Sequence, residues 1–284
     1  MQDQLDMLKI PEDLSNRRIL LKPNLISASA PPLACSNPFF VKAAASSFLS
    51  RGARVLIGDS PAFGKAATVL RRQGFTRAFS GMAVEPVTFK TRVLKTLDCG
   101  ITVGVATEAL DCDYFINLPR IKAHDQMGIT MAVKNVFGIV LGARKAWLHM
   151  RHGESWQDFS RMILDLHQLL PPSLVLADGI EVMNRRGPMR GPSLALGCLA
   201  ASRNAVALDR AMLEVLEIKN ERVPLVQTAW ERNLTGASLR DIDFPQLLPQ
   251  AFHGSGFQVP ATLIPVRFNV VRYLRSSIKR MFSP

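Results

Sequence analysis

Two apolar patterns alternate along this chain: short buried runs, and longer stretches with apolar residues at helical spacing. Residues 18–22 (RILLK) form a short apolar run that reads as a strand. Pro23 ends it, because proline fixes φ and cannot donate to a sheet ladder. Asn37-Pro38 then opens a helix, with asparagine as cap and proline in the first turn. Apolar residues at 40, 41, 44, 45, 48 and 49 share one helical face, and Gly52 closes the helix. Residues 53–57 are the next strand, so strand, helix and strand follow one another as they do in parallel sheets.

The pattern continues with a buried strand at Tyr114–Leu118, a turn at Pro119, and a stretch over residues 128–137 that reads as a helix. Residues 156–170 form an amphipathic helix ended by Pro171-Pro172. A strand at 174–177 closes at Asp178-Gly179, and a strand at 195–201 leads to a helix at 205–216. Residues 82–106 alternate apolar and polar positions and predict a meander of short strands. The expected fold class is α/β: a mostly parallel open sheet with flanking helices and a small β-rich insertion near residues 82–106. The expected division is an N-terminal linker and helix at 1–17, an α/β domain at 18–240, and a basic C-terminal tail at 241–284.

In a sheet of this kind, ligands bind outside the carboxyl ends of the strands. Polar residues at those ends are therefore the candidates. Lys22 and Asn24 follow the first strand, and Asp59 follows the second. Lys122, His124, Lys134 and Asn135 cluster after the strand at 114–118, Lys145 and His149 lie in a basic stretch read as a loop over 142–153, and Asp178 is a third strand-end carboxylate. Lys122 and Lys134 suit a phosphate or carboxylate, with Asn135 orienting it, while Asn24 either faces the ligand or caps its own turn. His124 is the candidate acid–base group, since imidazole titrates near neutrality. Asp59 or Asp178 would orient it or hold a divalent metal with it. His149 and His152 have i,i+3 spacing, but no third ligand completes a zinc pattern. Gly58 and Gly64 are separated by five residues and Ala66 follows Lys65, so the Walker pattern is not met.

Charge sharpens this picture. The 284 residues carry 35 Lys and Arg against 23 Asp and Glu, a net charge of +12, which favours anionic partners. Residues 266–284 hold Arg267, Arg272, Arg275, Lys279 and Arg280 and no acid, with apolar residues at helical spacing. Such a segment is expected first as a terminal helix packed on its own domain, and less so as one that lies on an anionic membrane or binds a partner. Aromatic residues make up only 7% and are not interleaved with basic ones, so nucleic-acid binding is disfavoured. No run of about 20 apolar residues spans a bilayer. The first ten residues lack a basic region followed by an apolar run, so a cytoplasmic location is expected. Cys35, Cys99, Cys112 and Cys198 form no CxxC pair and read as buried thiols.

Several motifs stand in order: LLKPN at 20–24, GDSP at 58–61, INLPRIKAH at 116–124, AVKNVFG at 132–138 and ADGIEVMNRRGP at 177–188, then LGCLAASRNAVALDRAMLEVLEI at 196–218. The set resembles the family named domain of unknown function 362, over roughly residues 18–240. The resemblance implies an α/β fold and a shared cleft that includes Lys22, Asn24, Asp59, Lys122, His124, Lys134, Asn135, Lys145, His149, Asp178 and Asp209. It also implies an association with ferredoxin-type iron–sulfur modules. The cysteine run of such a module is absent here, so no iron–sulfur cluster is expected in this chain. The family usually has a strand before LLKPN that this late start would omit. Asn184-Arg185-Arg186-Gly187-Pro188 replaces a Glu-Gly-Asn-Gly-Pro motif, and Asn37 stands where the family commonly has His. Three functions follow as expectations. The first is an enzyme, or a binder derived from one, acting on an anionic small molecule, with a divalent metal left open. The second is a redox accessory protein docking a ferredoxin-type partner. The third is a membrane-surface or nucleic-acid binder acting through the tail.

Overall fold

The computed structural model describes residues 1–141, 144–153 and 155–265, with only the backbone at Arg144 and Ala146. The expected basic helix at 266–284 lies outside the described residues. Among them, an eight-stranded mixed sheet, mostly parallel, is flanked by helices. In chain order its strands are β1 (Arg18–Pro23), β2 (Arg54–Ile57), β3 (Val84–Pro86), β6 (Tyr114–Leu118), β7 (Arg120–His124), β8 (Gly128–Thr130), β9 (Ser173–Met183) and β10 (Ser193–Ser202); β4 (Arg92–Thr96) and β5 (Thr102–Ala106) form a separate antiparallel pair. The helices used below are α1 (Pro38–Leu49), α2 (Ala132–Asn135), α3 (Arg144–His152), α4 (Trp156–Asp165) and α5 (Ala205–Val215).

Register shows how the centre is built. β6 and β7 both run parallel to β9, with Phe115 beside Ser173 and Arg120 beside Asp178 at the same offset. They are one line of chain broken at Pro119. β1 pairs with β6 along its first part, and β8 turns back antiparallel on β7 along its second. β2 and β3 continue in parallel beyond β1, and β10 covers the other edge of β9.

Burial on both faces explains the continuous apolar runs. Ile19 and Leu21 pack with Phe40, Val41, Ala44 and Phe48 of α1. Leu20, between them, points to the opposite face and joins Phe159, Met162 and Ile163 of α4. A third cluster packs α5, through Leu208 and Met212, on Ile121, Ala123 and Val182. Asn37 caps α1 by accepting from the Phe39 amide at 2.8 Å.

Four expectations are corrected. Residues 128–130 are strand β8, and only one helical turn, α2, follows, succeeded by a tighter turn over Val136–Ile139. Short buried apolar runs do not separate strand from helix by period, and here hairpin pairing with Lys122–His124 decides the matter. The basic stretch read as a loop contains helix α3. Residues 84–86 join the main sheet as an edge strand, so the separate β-rich element is narrower than residues 82–106. Asp178 is not at a strand end, because β9 continues to Met183 past Gly179.

Candidate functional site

Lys22 is the last side chain of β1 before Pro23, and Asp59 stands two residues beyond β2. Parallel pairing of Leu21 with Ile57 brings these strand ends together. Lys22 Nζ lies 2.8 Å from Asp59 Oδ1, with the two side chains 0% and 3% exposed. The ammonium also donates to the Pro23 carbonyl at 2.9 Å, while Asp59 Oδ2 accepts from the Leu25 amide at 2.9 Å. Burial lowers the Lys22 pKa, and the adjoining carboxylate opposes that shift. Gly138 passes directly over this pair: a Cβ there would collide with Asp59 Oδ1 and Lys22 Nζ.

Next to the pair, Asn135 Nδ2 donates to Asn117 Oδ1 at 2.7 Å, and Asn117 Nδ2 donates to the Ala132 carbonyl at 2.8 Å. The other end of α2 is held by Asp209 of α5, whose two oxygens accept from the Ala132 and Val133 amides at 2.8 and 3.0 Å. A short helix leaves its first amides without partners, and a carboxylate there meets both need and dipole. Asp209 is thus a support for the turn that carries Lys134 and Asn135, and it does not line the cleft. Burial pushes its carboxyl up to about 7.

The β7–β8 hairpin supplies a second wall. Lys122 and His124 share a face by the period of two, and Thr130 sits opposite Lys122. All three are buried. Lys122 Nζ donates to Asn24 Oδ1 at 3.2 Å and to the Ala34 carbonyl at 2.5 Å. Its pKa falls to about 7, chiefly through burial. His124 Nδ1 accepts from the Gln126 amide at 3.2 Å. Burial, then the charges of Lys134 and Lys122, hold this ring well below its usual range. The neutral ring with Nδ1 as acceptor carries its proton on Nε2.

Lys134 from α2 and Lys145 from α3 complete the basic lining. Lys134 is half-buried and finds no hydrogen-bond or ion-pair partner among the described residues; burial brings it to about 8. Lys145 Nζ donates to the Ser60 carbonyl and stands 6.0 Å from the Phe137 ring centroid. Burial brings it to about 7. His149 packs on Phe137 and Phe159, with ring centroids at 5.4 and 4.6 Å.

These groups surround one cleft of about 670 Å³. Lys22, Asn24, Asp59, Lys122, His124, Lys134, Asn135, Lys145 and His149 all line it. Asp178 does not: its carboxylate is 1% exposed and lies 3.7 Å from Arg120 Nε. Burial raises its pKa against the pull of Arg120. Arg120 in turn donates to the Pro32 and Cys35 carbonyls at 3.2 and 3.4 Å, so Asp178 steadies the loop behind Lys122. Arg185 and Arg186, which the altered motif adds, are exposed and outside the lining, whereas Pro188 and Met189 reach it.

Asp59 is the single carboxylate among the described lining residues, and Lys22 already engages it. No group of three or more His, Cys, Asp or Glu suited to a metal occurs among the described residues. Cys35, Cys99, Cys112 and Cys198 are free, and burial raises each thiol, Cys112 to about 12 and Cys198 to about 11.

The glycine-rich turn from Gly58 through Gly64, which the sequence offers as an anion holder short of a Walker loop, reaches the lining at residues 61–64, whereas Asn117, Thr130, Phe137 and Gly138 are not singled out as site residues. Reading GIT as a strand would place Thr130 beside Lys122 and reveal it. Gly138 carries no such signal, because its role depends on a close approach across the fold.

The profile of the family described as Domain of unknown function (DUF362) matches residues 19–214. The Thylakoid-associated protein sll1697 of Synechocystis sp. is 34% identical over 267 residues, which is 93% of this chain and 83% of that protein. Among solved structures, the lactate racemase apoprotein from Thermoanaerobacterium thermosaccharolyticum aligns with a TM-score of 0.44 at 13% identity. That alignment covers 64% of this chain and 45% of the solved one, so it spans less than half of that structure.

Proposed function

This chain belongs to the family described as Domain of unknown function (DUF362), and from that footing we propose that it binds a small molecule by a phosphate or carboxylate group in the strand-end cleft, as an enzyme or an enzyme-derived binder. One observation carries the reading. Lys122, Lys134 and Lys145 line the cleft with His124, while its one described carboxylate is committed to Lys22. Desolvated ammonium groups without carboxylates are unfavourable until an anion joins them. The depressed values of the three lysines express that cost. An arriving anion restores their charge and raises the basicity of His124. His124 then becomes the group able to deliver or remove a proton on the ligand. Asp59 acts through Lys22 as a positioning residue.

Lys134→Met tests this. It removes a cation that has no partner among the described residues, so melting temperature should hold or rise. Affinity for inorganic phosphate or acetate, measured by titration calorimetry, should fall by about 10-fold or more. Unchanged affinity for both anions would remove the basis of the reading.

A second reading rests on the Synechocystis relative, which is described as thylakoid-associated. No helix among the described residues is long and apolar enough to cross a membrane. The chain reaches Pro265 beside the cleft mouth, where the Ile264 amide donates to Asp125 and Gln126 Nε2 donates to the Pro265 carbonyl. The five basic residues of 266–284 follow at once. We propose that this segment attaches the protein peripherally to an anionic membrane surface. The full chain should float with vesicles containing phosphatidylglycerol and stay behind with phosphatidylcholine alone. Equal flotation by a chain ending at residue 265 would exclude the segment as the anchor.

A further inference from the structure

Thr130 brings to the cleft wall a buried hydroxyl that finds no use within the described fold. Its Oγ1 is buried and has no hydrogen-bond partner among the described residues. The residue is 5% exposed and lines the cleft. A buried hydroxyl left unmatched costs stability, and valine would fill the same volume without that cost. Directly opposite in register is Lys122, with His124 two residues further along the same face. The position opposite His124 is Gly128, which adds no side chain over the ring; its φ is +71°, and a Cβ would strike the Arg222 carbonyl.

Among the described residues, each of these three side chains has one donor to spare. In the ammonium form that a bound anion favours, Lys122 uses two N–H groups on Asn24 and Ala34 and keeps one. His124 receives the Gln126 amide at Nδ1 and keeps its Nε2–H. Thr130 keeps its hydroxyl, which can donate or accept. Three single donors on one hairpin face match three terminal oxygens on one centre, and a planar carboxylate offers only two oxygens. Charge points the same way. Among the described lining residues, Lys122, Lys134 and Lys145 have no carboxylate of their own, which suits a dianion better than a monoanion.

We propose that Thr130 is the specificity-determining residue of this cleft: with Lys122 Nζ and His124 Nε2–H, its hydroxyl seats a phosphate-ester group in preference to a carboxylate. The inference rests on the anion-binding reading above and names the class of anion. The ligand is then a phosphomonoester whose remaining part extends toward Ile26, Phe63 and Met189, the apolar portion of the same lining.

The test compares phenyl phosphate with benzoate, two ligands that share a ring and differ in the anionic group. Calorimetric titration of the full chain should show phenyl phosphate binding at least about 10-fold more tightly than benzoate. Thr130→Val should weaken phenyl phosphate about 10-fold and leave benzoate unchanged, while Thr130→Ser keeps the preference. Melting temperature of the ligand-free valine variant should not fall, since it loses an unsatisfied group. Equal binding of the two ligands by the unmodified chain would overturn the proposal, as would a valine variant with undiminished phenyl phosphate affinity. A valine variant that loses stability, with no rescue by serine, would make Thr130 structural and also overturn it. If neither ligand bound in a Lys134-dependent way, the anion-binding reading would fall too. Binding without selectivity would sink this inference alone.

Discussion

Lys22 holds an ammonium group wholly out of water, and its tolerance there depends on two neighbours. Asp59 supplies the charge, and the bare backbone of Gly138 supplies the room. Taking one partner of such a pair away leaves an uncompensated buried charge, which costs about 3–5 kcal/mol. Lys22→Met should therefore destabilise the protein by about that amount in chemical denaturation. The double change Lys22→Met with Asp59→Leu should recover most of the loss, because it removes both charges rather than one. If the double variant is as unstable as the single one, the pair is not what holds the strand ends together. Lys122 is a different case. It is as buried as Lys22 but has two neutral carbonyl oxygens where Lys22 has a carboxylate. One lysine completes the fold, and the other awaits a ligand. Both occur in the sequence as a lysine within a strand-end run, so residue type alone could not separate the two roles.

At the scale of elements, strand ends are what the sequence makes legible. Pro23 after an apolar run, Gly58 after the next and Pro119 after the third each stop a strand where a polar residue follows. That is enough to assemble Lys22, Asn24 and Asp59 on the expected edge, since parallel strands share their carboxyl ends, while Lys122 and His124 reach the same cleft from β7, which carries the line on past Pro119. The failures have a common cause. Residues 128–137 and 173–183 are mostly apolar with scattered polar positions, and in such runs period cannot distinguish strand from helix or fix where a strand stops. Tertiary pairing settles both. β8 exists because β7 extends beyond Pro119 and offers an edge, and β9 continues because β10 pairs with it as far as Met183. The error at β8 hides Thr130, and the error at β9 promotes Asp178 from a support for Arg120 to a cleft residue. Asp209 shows the same limit differently. The resemblance counts it with the cleft, yet across the fold it caps the turn that presents Lys134.

For the whole molecule, the net charge of +12 is a statement about the surface, and the cleft concentrates the same sign where water is scarce. This concentration gives the protein an unusual pH response. Lys122 and Lys145 lie at about 7 and Lys134 at about 8, against an ordinary lysine value of 10.5. Between those folded values and 10.5, the unfolded chain holds more protons than the folded one, so stability rises with pH. The contribution is complete above 10.5 and is lost as pH falls through the folded values. His124, also depressed, adds a loss of the same sign below 6.5. A bound anion reverses the balance, because it favours the charged lysines and binding then takes up protons. Free protein should thus melt higher at pH ~9 than at pH ~7, while the increment in melting temperature given by phosphate should be larger at pH ~7. Thermal melts with and without inorganic phosphate across that interval would show the two trends opposing each other. A phosphate increment that is constant from pH ~7 to pH ~9 would mean that the anion does not meet these lysines.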